Sequence, residues 1–380
     1  MALFLGCMSG TSLDGVDAVL AEVDASGTRT TVCAHAYVPF DEQLRGELLA
    51  LNASGPDELH RAGLAANEIA RRYAAVCRRV LEQAGVPTHR VVALGAHGQT
   101  VRHRPQEFDG TGYTVQLLNG ALLAELCGID VVCDLRSRDV AAGGQGAPLV
   151  PAFHAGLFGH EREDVAVLNL GGIANLTLLP RGGAVLGYDC GPGNVLLDLW
   201  CARHTGQRFD DGGRWAAGGR CDAGLLQALL DDPFFGRRPP KSTGRDLFDA
   251  AWLARVLARA GHGLAAQDVQ ATLVALTVQA AARALQQDQP GTRQLLVCGG
   301  GALNDGLMSG LRAALPGTDV QPTSALGVPV EQVEALAFAW LAAAFCGGRP
   351  GNLPAVTGAR GPRLLGALHR AGGAGRVGGA

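Results

Sequence analysis

The sequence predicts an α/β protein in which one unit of strands and helices occurs twice, giving two lobes with a cleft between them. Three observations carry this. Strand, glycine-rich polar turn, strand occurs at Leu5–Val19 (LGCMSGTSLDGVDAV) and again at Val167–Leu178 (VLNLGGIANLTL). Each occurrence heads three strand-like runs that give way to helices alternating with strands. The length, 380 residues, suits two domains or one two-lobed fold.

In the first copy, strands are expected at Leu3–Cys7, Val16–Val23 and Thr30–Val38, all short and apolar or rich in β-branched residues. Helices follow at Asp41–Leu51 and Asp57–Gln83, the latter with apolar residues three and four apart. Strands at Val91–Ala96, Tyr113–Leu117 and Asp130–Asp134 bracket a helix at Gly120–Cys127. The second copy has strands at Val165–Leu170, Ile173–Leu179 and Ala184–Tyr188. Helices are expected at Val195–His204, Asp222–Leu230, Asp246–Ala260 and Ala266–Gln287, then a strand at Leu295–Cys298 and helices at Ala302–Leu315 and Val330–Phe345. The expected boundaries are residues 1–140 for the first lobe, 141–370 for the second with helical insertions, and a flexible glycine-rich tail at 371–380.

Composition narrows the function. Apolar residues make up 47% and charged residues 18%, enough for a large core and unlike a disordered chain. A formal net charge of -3 argues against a nucleic-acid binder driven by a basic surface. The ten cysteines form no C-x-x-C pair, and several, such as Cys33, Cys133 and Cys298, sit in apolar runs, so buried free thiols in a reducing compartment are expected. The start MALFLGCMSG lacks the basic leader and full apolar segment of a signal. The uncharged run Val140–His160 is broken by Pro148 and Pro151, so no membrane span is expected and the cytoplasm is the expected location.

Three glycine clusters suit a triphosphate, which is held by backbone N–H groups, hydroxyls and a metal ion. The first, Ser9-Gly10-Thr11-Ser12-Leu13-Asp14-Gly15, runs on into Val16 and Asp17 and supplies three hydroxyls and carboxylates. Asp14 is the candidate Mg²⁺ ligand, directly or through water. The second, Gly171-Gly172-Ile173-Ala174-Asn175, repeats the glycines, with Gly171, Gly172 and Asn175 as candidates. The third, Gly299-Gly300-Gly301, gives a nucleoside ring a flat backbone to lie against. Together they point to ATP. A Walker A loop is excluded, since the single lysine lies in Pro239-Pro240-Lys241-Ser242-Thr243 without a preceding glycine, and no G-x-G-x-x-G occurs at the third cluster.

Further segments complete a resemblance. They are GAHGQTVRHRP at Gly95–Pro105, DLRSRDVAAGGQGAPLVP at Asp134–Pro151, YDCGPGNVLLD at Tyr188–Asp198, PPKSTGRDLF at Pro239–Phe248, VCGGGALN at Val297–Asn304 and VEALAFAWLA at Val333–Ala342. With the turns at Met8–Asp17 and Leu168–Thr177, these segments run in order through nearly the whole chain. The chain resembles the anhydro-N-acetylmuramic acid kinase family, within the superfamily of sugar kinases, actins and heat-shock ATPases. Leu135 stands where that family usually has phenylalanine, and Cys190 where threonine is common.

The resemblance implies two duplicated ribonuclease-H-like lobes with an ATP cleft between them, and a homodimer. It also implies a reaction in which water opens an internal ether of the sugar while ATP phosphorylates the freed oxygen, in peptidoglycan recycling and amino-sugar catabolism. Asp189, which ends a strand just before Gly191-Pro192-Gly193 and a helix, becomes the expected general base, with helix N–H groups keeping it ionised. Glu334 matches a family residue near the reacting water; by position alone it is a first-turn glutamate. His97 and Gln99 offer donors and acceptors to the sugar. Arg136 or Arg138 suits the lactyl carboxylate, and Arg136 is preferred. Lys241 is expected on a loop over the substrate, or on a plain surface turn. The competing readings are an ordinary sugar or acetate kinase of the same superfamily and a non-catalytic nucleotide switch.

Overall fold

In the computed structural model the described residues are 1–372 except Thr11, Pro240, Arg245, Asp246, Gly261 and His262. The chain forms two compact units, Met1–Leu157 with Gln332–Ala380, and Phe158–Glu331. This corrects the expected division at 140/141. The last long helix and everything after it return to the first unit.

The first unit is built on strands β1 (Ala2–Met8), β2 (Gly15–Val23), β3 (Thr30–Pro39), β4 (Val91–Ala96), β5 (Gln99–Pro105), β6 (Gly112–Leu117) and β7 (Val131–Cys133). Its main sheet has the order Ala367–His369, β7, β4, β1, β2, β3, while β5 and β6 form a separate hairpin. Strand β2 is antiparallel to β1 and β3, and β4 is parallel to β1 and β7. Helix Glu58–Ala84 packs one face on this sheet through Ile69, Tyr73, Val76 and Val80, and ends at Gly85 in the left-handed conformation that glycine takes readily.

Helix Val333–Cys346 is apolar on every face beyond Glu334 in its first turn and covers the other face of the sheet. Its close approach explains two glycines in mid-strand. A Cβ at Gly6 would lie 2.1 Å from the Ala335 carbonyl oxygen, and one at Gly95 would lie 2.0 Å from that of Phe338. An apolar helix has no polar stripe to announce a partner, so its return to the first unit was not legible from periodicity.

The second unit has β8 (Val165–Leu170), β9 (Ile173–Leu179), β10 (Leu186–Pro192), β11 (Gln294–Cys298) and β12 (Asp319–Pro322), in the order β10, β9, β8, β11, β12. Strands β8, β11 and β12 are parallel and β9 is antiparallel to its neighbours. With the β5–β6 hairpin left out of the count, the first sheet reads 3-2-1-4-5 with Ala367–His369 added at its edge. The second reads 3-2-1-4-5 with the same directions. The repeat inferred from two turns is a repeat of whole topology. A second core, including Leu168, Leu176, Phe248, Trp252 and Leu273, fills this unit.

Three strands escaped the pattern, the three-residue Ala367–His369 among them. The β5 arm contains Arg102, His103 and Arg104, so its sequence reads as a charged loop; its hairpin partner β6 makes it a strand. The edge strand β12 is four residues long and ends at Pro322, too short to show alternation. The third strand of the second unit runs to Pro192, beyond the expected end at Tyr188, and so carries Asp189 within it. The helix expected from Ala302 begins at Asp305, capped by the Asn304 side chain on the Leu307 N–H.

Candidate active site

In both units the candidate residues collect at the C-terminal ends of the parallel strands, where open α/β sheets bind ligands. In the first unit these are the turn after β1, His97 and Gln99 after β4, and Arg136 after β7.

The turn after β1 is held by side chains. Ser9 is buried, with its hydroxyl 2.9 Å from the Tyr73 hydroxyl and donating to the Gly98 carbonyl at 3.2 Å. The Gln99 amide donates to the Gly10 carbonyl at 3.1 Å, which also receives the Leu13 N–H at 3.2 Å. Gln99 is fully buried and its Oε1 has no hydrogen-bond partner.

The nucleotide candidates here divide. Leu13 and Val16 bury their side chains in the core, Val16 within β2, so neither can offer a ligand more than backbone. Asp17 is paired with His35 at 3.0 Å, and a Cβ at Gly15 would lie 2.5 Å from the Val38 carbonyl oxygen, so packing dictates that glycine. Thr11 lies outside the described residues. Gly10, Ser12 and Asp14 remain on the outer side. Asp14 is exposed, with Oδ1 accepting from Ser12 at 2.7 Å. One hard oxygen beside a glycine turn fits Mg²⁺, which keeps most of its waters.

Arg136 and His97 meet directly. Nε and Nη2 of Arg136 donate to His97 Nε2 at 3.0 and 2.9 Å, and Nη1 donates to the Gly146 carbonyl at 2.8 Å. With Nε2 accepting, the ring proton sits on Nδ1, which has no hydrogen-bond partner. Burial, and then the Arg136 charge, pull the His97 pKa down to about 3. His97 is thus a neutral support for Arg136. Burial lowers Arg136 itself to about 10, while Glu334 and Asp139 favour its cation. That places Glu334, half-buried in the first turn of its helix, in the electrostatic surroundings of Arg136. Arg138 is exposed.

The second unit holds Asp189 at a bulge in the β10–β9 pairing, opposite Asn175. The Asn175 amide donates to Oδ1 at 2.9 Å and the Thr243 N–H to Oδ2 at 2.9 Å, while the Asp189 N–H donates to the Lys241 carbonyl at 3.2 Å. Burial raises the Asp189 pKa, opposed by the two donated hydrogen bonds. The expectation that helix N–H groups stabilise this carboxylate is corrected. Those of Gly193, Asn194 and Val195 donate to the carbonyls of Gly171 and Gly172 at 2.8–3.0 Å. Asn175, expected on the nucleotide, has its amide on Asp189.

Lys241 also departs from a free surface position. Its Nζ lies 4.9 Å from the Phe234 ring centre and 5.8 Å from that of Tyr188, and donates to the Phe234 carbonyl at 3.4 Å. Thr243 was missed by sequence reasoning; the turn-forming Pro-Pro before it was the available signal. Among the glycines, Gly299 has φ +78° and a Cβ there would lie 2.4 Å from Asn169 Oδ1, and one at Gly301 would lie 2.5 Å from the Leu170 Cβ. Gly172 and Gly300 have no such crowding. Cys33 is exposed, against the expectation for its apolar run; Cys133 and Cys298 are buried and in no disulfide. No helix among the described residues is long and apolar enough to cross a membrane.

A sheet order of 3-2-1-4-5 in each of two units, with polar glycine turns after the first strand of both, defines the duplicated ribonuclease-H-like class to which sugar kinases and actins belong. Within it, the chain belongs to the anhydro-N-acetylmuramic acid kinase family, whose model matches residues 2–371. A protein of that name from Variovorax paradoxus (strain S110) is 58% identical over 374 residues, covering 97% of this chain and 99% of its own length. One from Bordetella petrii is 60% identical over 373 residues, covering 97% of this chain and 96% of its own.

Proposed function

We propose that the chain converts 1,6-anhydro-N-acetylmuramic acid, ATP and water to N-acetylmuramic acid 6-phosphate and ADP, with Asp189 as the base that activates water. Family membership makes the chain an ATP-dependent kinase of this anhydro sugar, acting in peptidoglycan recycling. The observation that supports Asp189 as base is its clamp. Two donors, Asn175 and the Thr243 N–H, fix both carboxylate oxygens, and burial lifts its pKa toward the working range of a general base.

Water adds to the anomeric carbon as its bond to oxygen six breaks. The water proton passes to Asp189 and later to solvent. Oxygen six attacks the γ-phosphorus, and ADP leaves. Mg²⁺, when bound at Asp14, spreads the phosphate charge. The exposed faces of Gly10, Ser12, Gly172 and Gly300 serve the nucleotide. Three Arg136 N–H groups are used within the protein, which leaves one each on Nη1 and Nη2, the end-on fork that pairs with a carboxylate. We assign that fork to the lactyl carboxylate, and Glu334 to the sugar near the attacking water. The need for ATP supports the cytoplasm as the location, and the family resemblance supports a homodimer, which sedimentation velocity tests.

Turnover in ¹⁸O-labelled water should place the label on the anomeric carbon of the product. Label absent from that carbon, or turnover of free N-acetylmuramic acid but not of the anhydro sugar, refutes the mechanism.

A further inference from the structure

An arginine fork recognises a carboxylate only if it is aimed, and the groups that aim Arg136 lie beyond its own contacts. Asp139, one helical turn on, is fully buried at 0% exposure. Its Oδ2 accepts the Gly146 N–H at 2.8 Å, and Oδ1 accepts the Asn352 amide at 2.6 Å and the Thr357 hydroxyl at 2.8 Å. All three donors are neutral, an arrangement that satisfies a buried carboxylate as an acceptor.

The loop 142–146 closes around this carboxylate. The Gly144 N–H donates to the Asp139 carbonyl at 2.9 Å and the Gln145 N–H to the Thr357 carbonyl at 2.7 Å. A Cβ at Gly144 would lie 2.2 Å from Asp139 Oδ2, so the carboxylate itself demands glycine there. Gly146, fixed through its N–H by Asp139, presents its carbonyl to Arg136 Nη1. The uncharged glycine run is a cradle joining Asp139 to Arg136.

We propose that Asp139 is a positioning residue for substrate recognition: through Gly146 it aims the Arg136 fork at the carboxylate of the sugar. This rests on the assignment of Arg136 to that carboxylate. Asp139, after Glu334, also favours the charged form of the desolvated guanidinium.

The test compares the anhydro-muramic substrate with 1,6-anhydro-N-acetylglucosamine, which lacks the lactyl carboxylate, used as a competitive inhibitor. Asp139→Asn should raise KM for the muramic sugar roughly tenfold, leave kcat within about twofold, and leave Ki of the carboxylate-free sugar within about twofold. Equal weakening for both sugars, or a fall in kcat at unchanged KM, overturns the proposal. Arg136→Ala is run alongside. If it weakens both sugars equally, the carboxylate assignment itself fails; if it discriminates while Asp139→Asn leaves KM unchanged, only the role of Asp139 fails. Thr357→Val, which removes one donor and keeps the charge, should shift KM in the same direction by a smaller factor. It decides on the same criteria if Asp139→Asn does not fold.

Discussion

The turns that follow the first strand of each unit have the same place in the topology and are locked in different ways. In the second unit the carbonyls of Gly171 and Gly172 are bound by three consecutive backbone N–H groups at a helix start. In the first unit the turn has backbone bonds from the Leu13 N–H to Gly10 and from the Phe40 N–H to Asp14. It hangs further on the side chains of Ser9, Tyr73 and Gln99. A backbone lock survives side-chain substitution, whereas a side-chain lock can be removed one residue at a time. The division of labour follows. Under the proposed roles, the second unit carries the fixed base and the first carries the adjustable recognition groups.

The largest expected effect lies on the fixed side. Asp189→Asn should lower kcat by about 10³-fold or more, while ATP affinity measured by calorimetry stays within about twofold. Near-native turnover would remove Asp189 as base. The pH dependence sharpens this. Activity needs the ionised carboxylate, so it should be lost as pH falls through a pKa above the ordinary aspartate range. His97, held at about 3, is neutral throughout and cannot supply that limb. Stability runs the other way. A carboxyl whose pKa is raised by folding destabilises the native state when charged, and the penalty is relieved as pH falls through that pKa. The melting temperature of Asp189→Asn should therefore equal or exceed wild type at neutral pH, with the gap closing on acidification; a gap that widens contradicts burial as the cause.

On the adjustable side, Gln99→Leu removes the amide that holds the Gly10 carbonyl. KM for ATP should rise roughly tenfold, the value of about one buried hydrogen bond, with KM for the sugar less affected. An unchanged KM for ATP would mean that the turn does not touch the nucleotide.

Topology was legible because duplication leaves two copies of one pattern, each confirming the other. The residues that were missed lie where that pattern says nothing. Asp139, inside Arg-Ser-Arg-Asp, reads as one more surface charge, and only the distant Asn352 and Thr357 make it a buried acceptor. Thr243 acts through its N–H, which no side-chain pattern reports. Asn175 followed two glycines and was read with them, although strand alternation puts it on the Asp189 side of the pairing. Asp189 is proposed as the base on the family resemblance and on its place just before the glycines at the end of its strand.

The smallest effect separates glycines kept for packing from those kept for a ligand. A Cβ at Gly193 would lie 2.3 Å from the Gly171 carbonyl oxygen, inside the backbone lock, so Gly193→Ala should destabilise the protein by about 1–3 kcal/mol in urea unfolding. Gly172 has no atom within 4 Å of such a Cβ, and Gly172→Ala should leave stability within about 0.5 kcal/mol. If the added methyl nonetheless weakens ATP binding, the space beside Gly172 is occupied by nucleotide in the working enzyme. If neither stability nor affinity moves, the second turn is a structural relic of the duplication, and the first turn holds the phosphates.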